Sequence, residues 1–382
     1  MVVRVRPWLR RFALVFASLA IALGAAELVV RAFAPAWLRA RMREVAVGRS
    51  LADWGSDADL PVEWDEGRPV RFVPGSQFTI RHDEYMHSVR IDEYGGRASG
   101  RAAGGSGPIV PVFGDSMAFG LGVRDAETFV SLMGASLPVR LVNLAMPGSN
   151  MLEQLDQRDA LERRDARFSA AAWCVFLVFL GNDLTDVASA PDGGADDPGT
   201  VRASLSSWLF AANAALDEHW LVRRWYAVQW ARALAVRRVN AAWSQPQLES
   251  VFAVMDRAVP LDRVRMGFEQ AVDRLVRTSV RDHSTPLVIV VPDRFQVNEQ
   301  LRRDKAALHG VEWSSYDARR PNRLVAETLA ARGIAFVDAS DCLEGRAGQY
   351  YVRDLHLTAA GHETIARCVG PFVAARLTGA VQ

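Results

Sequence analysis

An apolar, strand-like run at residues 109–113 passes directly into Gly114-Asp115-Ser116, so a serine hydroxyl emerges at the carboxyl end of what should be a buried strand. Open α/β sheets place their ligands at that end. Gly114 permits the sharp exit that lifts the hydroxyl clear of the sheet. Ser116 is therefore the candidate nucleophile, but a Gly-Asp-Ser turn after a strand is also ordinary loop chemistry, and partners elsewhere must decide. A serine hydroxyl is a weak nucleophile at neutral pH and needs a base within reach, which in turn needs an acceptor to fix its tautomer. Asp354 and His356 stand two positions apart in one short segment, ahead of an apolar-periodic helix that Thr358 can cap. His362 is the rival base; it falls in the first turns of that helix, where a buried structural histidine is the simpler assignment. Attack on a carbonyl places charge on its oxygen, and three donors are candidates to meet it: the Ser116 amide, the Gly148 amide and the Asn182 side chain.

These residues require a sheet to bring them together. Runs at 141–145 and 172–180 read as strands leading to Gly148 and Asn182 respectively, and 287–291 and 333–337 continue the series. Helices are expected near 126–137 and 151–163, which predicts a three-layer α/β/α sandwich around a mainly parallel, doubly wound sheet. Half of the 382 residues are apolar, enough for one such domain and additions, and a net charge of +1 argues against a general polyanion binder such as a nucleic-acid protein.

Ser116, Gly148, Asn182 and His356, in that order and each following a predicted strand, resemble the four block residues of the SGNH (GDSL-type) hydrolases. The likeness extends through 114–122, 143–148 and 181–183. It implies a flavodoxin-like sheet, no cofactor, a Ser116-His356-Asp354 triad and an oxyanion hole from Ser116, Gly148 and Asn182. Within the family the chain is most similar to the membrane-anchored bacterial branch and to alginate O-acetyltransferase-like proteins, which often share the short Asp-x-His spacing. In that branch a segment like 89–97 precedes the nucleophile; many members carry Asn where Asp92 stands and a large residue where Gly96 stands. The resemblance implies a serine ester hydrolase that deacylates a carbohydrate or lipid ester, a small molecule or a polysaccharide, with O-acetyl transfer to an envelope polysaccharide as the alternative outcome. A catalytically idle glycan-binding envelope scaffold is the alternative of another class.

The remaining chain divides into an N-terminal segment 1–34, a lead-in 35–107 and a hydrolase-like domain 108–382 with a helical insertion at about 190–283. Residues 12–30 are nearly as long an apolar run as a bilayer crossing needs, with Arg4, Arg6, Arg10 and Arg11 before it. A signal anchor is favoured over a cleaved signal peptide because the run is long and Glu27 and Arg31 can pair at i,i+4 across its outer end. Arg31, Arg39, Arg41 and Arg43 follow it, so placement of the domain outside the cytoplasm, on the bacterial inner membrane, follows from the resemblance and not from charge. In the insertion, Trp220, Trp225, Trp230 and Trp243 alternate with Arg223, Arg224, Arg232, Arg237 and Arg238, which suits either packed tryptophans with a solvated arginine face or an interfacial lid. Its last stretch shows an apolar stripe, Leu261, Val264, Phe268, Val272 and Leu275. Cys174 reads as a core residue, whereas Cys342 and Cys368 can pair in an oxidising space. No metal site is expected, since the spacing of His82 and His87 does not match a helical zinc pair.

Overall fold

The computed structural model describes residues 7–35, 38, 39, 42, 61–65, 68–82, 84–100, 107–189, 225–231, 234, 250–352 and 354–378. Arg4, Arg6, Arg41, Arg43, Trp220, Trp243, Arg223, Arg224, Arg232, Arg237 and Arg238 lie outside them. The chain divides into two compact units, one holding residues 1–49, 196–247 and 303–311, the other holding 50–195, 248–302 and 312–382.

In the second unit two hairpins come first: β1 (Val62–Asp65) pairs antiparallel with β2 (Arg68–Phe72), and β3 (Gln77–His82) with β4 (Tyr85–Arg90). A five-stranded, all-parallel sheet follows, built from β5 (Ile109–Phe113), β6 (Arg140–Asn143), β7 (Trp173–Phe179), β8 (Thr285–Val291) and β9 (Ala335–Asp338). Its spatial order is β6-β5-β7-β8-β9, the flavodoxin-like order in which the winding reverses between β5 and β7.

The strands are apolar on both sides because the sheet is covered on both sides, and period-two alternation sorts their side chains between two cores. Val110, Val112, Val175, Leu177, Leu287 and Ile289 share one core with Ile365, Val369 and Val373 of the last long helix, Ala359–Thr378. Phe113, Phe176, Val178, Val288 and Val290 face the other. There they meet Leu155 of helix Met151–Arg164, Phe268, Val272 and Leu275 of helix Asp262–Arg281, and Leu324 and Leu329 of helix Arg320–Ala331. The stripe read at the end of the insertion thus belongs to a helix that carries the chain from β7 to β8 and covers the sheet.

In the first unit, helix Pro7–Ala32 is the one helix among the described residues long and apolar enough to cross a membrane, and a secretory signal has the same character. Near its end the Glu27 carboxylate accepts Arg31 Nε at 2.6 Å and the backbone amides of Tyr226 and Ala227, both at 2.9 Å. The expected i,i+4 pair is present, and the same carboxylate holds the first turn of the short helix at 226–231. Trp230 on that helix is 42 % exposed.

Cys342 and Cys368 form a disulfide across a sequence separation of 26, and the loop it closes contains both Asp354 and His356. Closing a loop of that length removes unfolded-chain entropy worth about 3 to 4 kcal/mol. Replacing both cysteines by serine should lower unfolding stability by about that amount, read from the denaturant midpoint of the oxidised wild-type chain against the variant; equal midpoints would contradict the contribution of the loop.

Candidate functional site

The exit from β5 is built tightly. Gly114 lies where a Cβ would come within 2.5 Å of the Ala118 side chain and 2.9 Å of Leu177, so a side chain here would push the turn off the sheet. The Gly114 carbonyl accepts the Met146 amide at 2.8 Å and the Ser149 hydroxyl at 3.0 Å, which ties the exit of β5 to the loop after β6. Asp115 caps the short helix Ser116–Phe119 by accepting the Met117 amide at 2.9 Å, leaving Ser116 as its first residue.

The far end of that helix is held from the lead-in. Arg97, 3 % exposed, donates from Nη1 to the Phe119 and Gly120 carbonyls at 2.9 and 2.5 Å, from Nη2 to Val123 O at 2.5 Å, and from Nε to Asp125 at 3.1 Å. Asn143 adds a bond from Nδ2 to Ala118 O at 2.8 Å. A guanidinium can satisfy several diverging carbonyls at once, and that geometry fixes the loop beyond the serine.

The expected triad residues meet in the structure. His356 Nε2 lies 2.7 Å from Ser116 Oγ, and His356 Nδ1 lies 2.6 Å from Asp354 Oδ1. Asp354 is 5 % and His356 8 % exposed, so both polar contacts are made largely out of water. Burial would raise the Asp354 carboxyl, but the hydrogen bond and charge of His356, with a bond from the Tyr85 hydroxyl, hold it below the ordinary carboxylate range. His362 is elsewhere: fully buried, stacked on Phe129 and accepting the Phe129 amide at Nδ1, it is pushed down to about 3, chiefly by burial. It packs as a structural histidine.

The three expected oxyanion donors follow β5, β6 and β7, and Ser116 and Asn182 flank the point where the winding reverses. Gly148 has φ +84, a left-handed conformation that disfavours any side chain. Among the described residues, neither the Ser116 nor the Gly148 amide donates to a protein acceptor. Asn182 Nδ2 donates to Asp186 Oδ2 at 2.5 Å, which fixes the amide plane and leaves its second N–H available.

Several further residues support the Asp354 loop. The β3–β4 turn reaches the Asp354 loop: Glu84 accepts the Val352 amide at 2.8 Å and the Asp354 amide at 3.0 Å, and the Tyr85 hydroxyl donates to Asp354 Oδ2. From the exit of β8, Arg294 Nη1 donates to the Val352 and Asp354 carbonyls at 2.9 and 3.3 Å. No local pattern marks these residues, because each acts across a long sequence separation. The only signals were that the stretch from His82 to His87 is rich in polar and aromatic types and that Arg294 follows a strand exit.

Near Asp115 sits a second buried carboxylate. Asp183 is 1 % exposed; its Oδ2 accepts the Phe179 amide at 2.9 Å, while Oδ1 has no partner among the described residues. Burial, then the neighbouring Asp115 carboxylate, raises its proton affinity well above the ordinary range, and burial pushes Asp115 up to about 6. A carboxyl whose pKa rises on folding binds its proton better in the folded chain, so its contribution to stability falls as pH climbs above the unfolded value of about 4. Asp183→Asn, which imitates the neutral acid, should therefore gain on the wild type in denaturant midpoint as pH climbs above about 4; a difference that stays constant with pH would contradict a buried, titrating Asp183.

The GDSL-like lipase/acylhydrolase family model matches residues 112–364, more than half of the chain. No curated protein matches it. Among solved structures it is similar to an acetyl xylan esterase, with 12% identity, 70% of this chain and 98% of that chain covered and a TM-score of 0.36. It is also similar to a member of the lipolytic protein G-D-S-L family from Veillonella parvula, with 13% identity, coverage of 68% and 95% and a TM-score of 0.35. A psychrotrophic esterase from Pseudoalteromonas sp. follows at 9% identity, coverage of 70% and 96% and a TM-score of 0.33. With the family's model spanning the sheet from β5 to the final helix, and with Ser116, Gly148, Asn182 and His356 all inside the matched stretch, the chain belongs to the GDSL-like lipase/acylhydrolase family.

Proposed function

We propose that the chain is a serine ester hydrolase in which Ser116 is the nucleophile, His356 the general base and acid, and Asp354 the acceptor that fixes the imidazole. The observation that carries this reading is the unbroken series of short contacts, Ser116 Oγ to His356 Nε2 at 2.7 Å and His356 Nδ1 to Asp354 Oδ1 at 2.6 Å. With Nδ1–H donating to Asp354, Nε2 presents a lone pair to the serine hydroxyl.

Ser116 Oγ attacks the ester carbonyl carbon as its proton passes to His356 Nε2. The carbonyl oxygen becomes an oxyanion facing the Ser116 and Gly148 amides and the Asn182 side chain. Collapse breaks the carbon–alkoxide bond, and His356 returns the proton to the departing alcohol. Water then enters, gives a proton to His356 and attacks the acyl carbon; collapse releases the acid and restores the Ser116 hydroxyl. The same residues serve if a sugar hydroxyl takes the place of water, and the product is then a transferred acyl group. A glycan-binding scaffold has no use for a serine, a base and an acid in bonding order, which speaks against the idle alternative.

We further propose that this domain lies on the outer side of a bacterial inner membrane, tethered by helix Pro7–Ala32. The apolar helix and the Cys342–Cys368 disulfide support that reading, since disulfides persist in oxidising compartments.

Fluorophosphonate labelling of the purified chain should modify the wild type and leave Ser116→Ala unmodified; an unlabelled, folded wild type would refute the hydrolase reading, and labelling that survives the substitution would move the nucleophile elsewhere. Asn182→Ala should reduce kcat on a short-chain aryl ester by about 100- to 1,000-fold, the usual cost of losing one oxyanion donor. An unchanged kcat would remove Asn182 from the hole.

A further inference from the structure

We propose that Tyr85, on the hairpin ahead of the family-matched stretch, is a positioning residue for the triad: its hydroxyl holds one oxygen of Asp354 so that the other faces His356. The inference rests on the hydrolase reading of Ser116, His356 and Asp354. Tyr85 precedes the matched residues 112–364, so nothing in that match assigns it a role.

One residue, Leu355, separates Asp354 from His356, so the carboxylate must meet the imidazole across its own loop, and that loop is neither helix nor strand. A carboxylate can rotate about its terminal bond, since such sp³–sp² torsions are broad. Oδ1 points at His356 Nδ1, and the bond from the Tyr85 hydroxyl to Oδ2 fixes that rotation. Two anchored oxygens define the carboxylate plane; one does not.

Tyr85 is itself immobilised. It is 7 % exposed at the start of β4, its ring stacked with His82 at 4.8 Å and His87 at 5.8 Å and tilted against Tyr351 at 4.9 Å. Tyr351 is pinned in turn by its hydroxyl's 2.6 Å bond to Gly122 O. Glu84, the preceding residue, accepts the amides of Val352 and Asp354, so the same turn holds the backbone of the loop as well as its carboxylate. Burial, then the charge of Asp354, raises the Tyr85 phenol well above its ordinary range, which keeps it a donor at any pH where the triad can work. A donor to a buried carboxylate also spreads charge that Asp354 would otherwise direct wholly at the imidazole, so its removal should move the acid limb of the pH–rate profile as well as the rate.

The test is a double-mutant cycle on the full-length chain in detergent, with a short-chain aryl ester as substrate. Tyr85→Phe keeps the ring in its stack; it should leave the thermal midpoint within a few degrees, lower kcat about 10- to 100-fold with KM little changed, and displace the acid limb of the pH profile. In an Asp354→Asn background the same change should cost less than about twofold, because the partner it acts through is already altered. A Tyr85→Phe enzyme with wild-type kcat and pH profile overturns the proposal, as do losses that multiply in the double variant or a collapse of the fold, which would mark the hydroxyl as structural only. A wild type that neither turns over the ester nor takes the fluorophosphonate label would overturn the hydrolase reading itself, and this inference with it.

Discussion

A buried carboxylate with two demands organises the site. Asp354 has to accept from His356 Nδ1 with one oxygen while its other oxygen, equally removed from water, finds a donor of its own. An unpaired buried carboxylate oxygen is costly, and a misdirected one leaves the imidazole free to turn its wrong nitrogen to the serine. The structure answers both demands with groups from distant segments. The β3–β4 turn supplies Tyr85 to Oδ2 and Glu84 to the loop amides, and Arg294 beyond β8 takes the loop carbonyls. The disulfide closes the same loop covalently.

The side of the proposed nucleophile follows the same principle with different means. Ser116 stands where β5 leaves the sheet, and the turn is held by Gly114, whose missing side chain lets it close on Ala118 and Leu177. Arg97 and Asn143 fix the backbone beyond it. The sheet brings the carboxyl ends of β5, β6 and β7 side by side, and Ser116, Gly148 and Asn182, the proposed oxyanion donors, follow those ends. Each half of the site is therefore anchored by the lead-in, through Arg97 on one side and Tyr85 and Glu84 on the other. The segment that reads as a preface to the domain thus bonds to both the Ser116 turn and the Asp354 loop.

What was legible in the sequence follows from the range of the forces involved. Apolar runs marked β5, β7 and β8 because strands buried on both faces are apolar throughout, and the stripe at Leu261 to Leu275 marked a helix because one face alone is buried. The order of Ser116, Gly148 and Asn182 was readable because each follows a strand exit, where this topology gathers functional groups, and His356, in a loop beyond β9 and a short helix, was readable from its place beside Asp354. His362 could be set aside from its place in a helix, and its burial against Phe129 agrees. The contacts of Tyr85, Glu84, Arg97 and Arg294 were not readable. Their partners lie between 22 and 270 residues away, and nothing in local composition announces a bond made only after the chain has folded. The stripe helix Asp262–Arg281 illustrates the middle case: its amphipathic pattern was plain, but its membership of the sheet's covering layer depended on what it packs against.

The proton between His356 and Asp354 can be observed directly. A hydrogen bond from Nδ1 to a buried carboxylate should give a proton resonance far downfield of the amide envelope in the NMR spectrum of the full-length chain, exchanging slowly enough to observe. If Asp354 holds the imidazole for Ser116, this resonance is present in the wild type and absent from Asp354→Asn and His356→Ala. A wild-type spectrum without it, or a resonance that persists in Asp354→Asn, would contradict that claim.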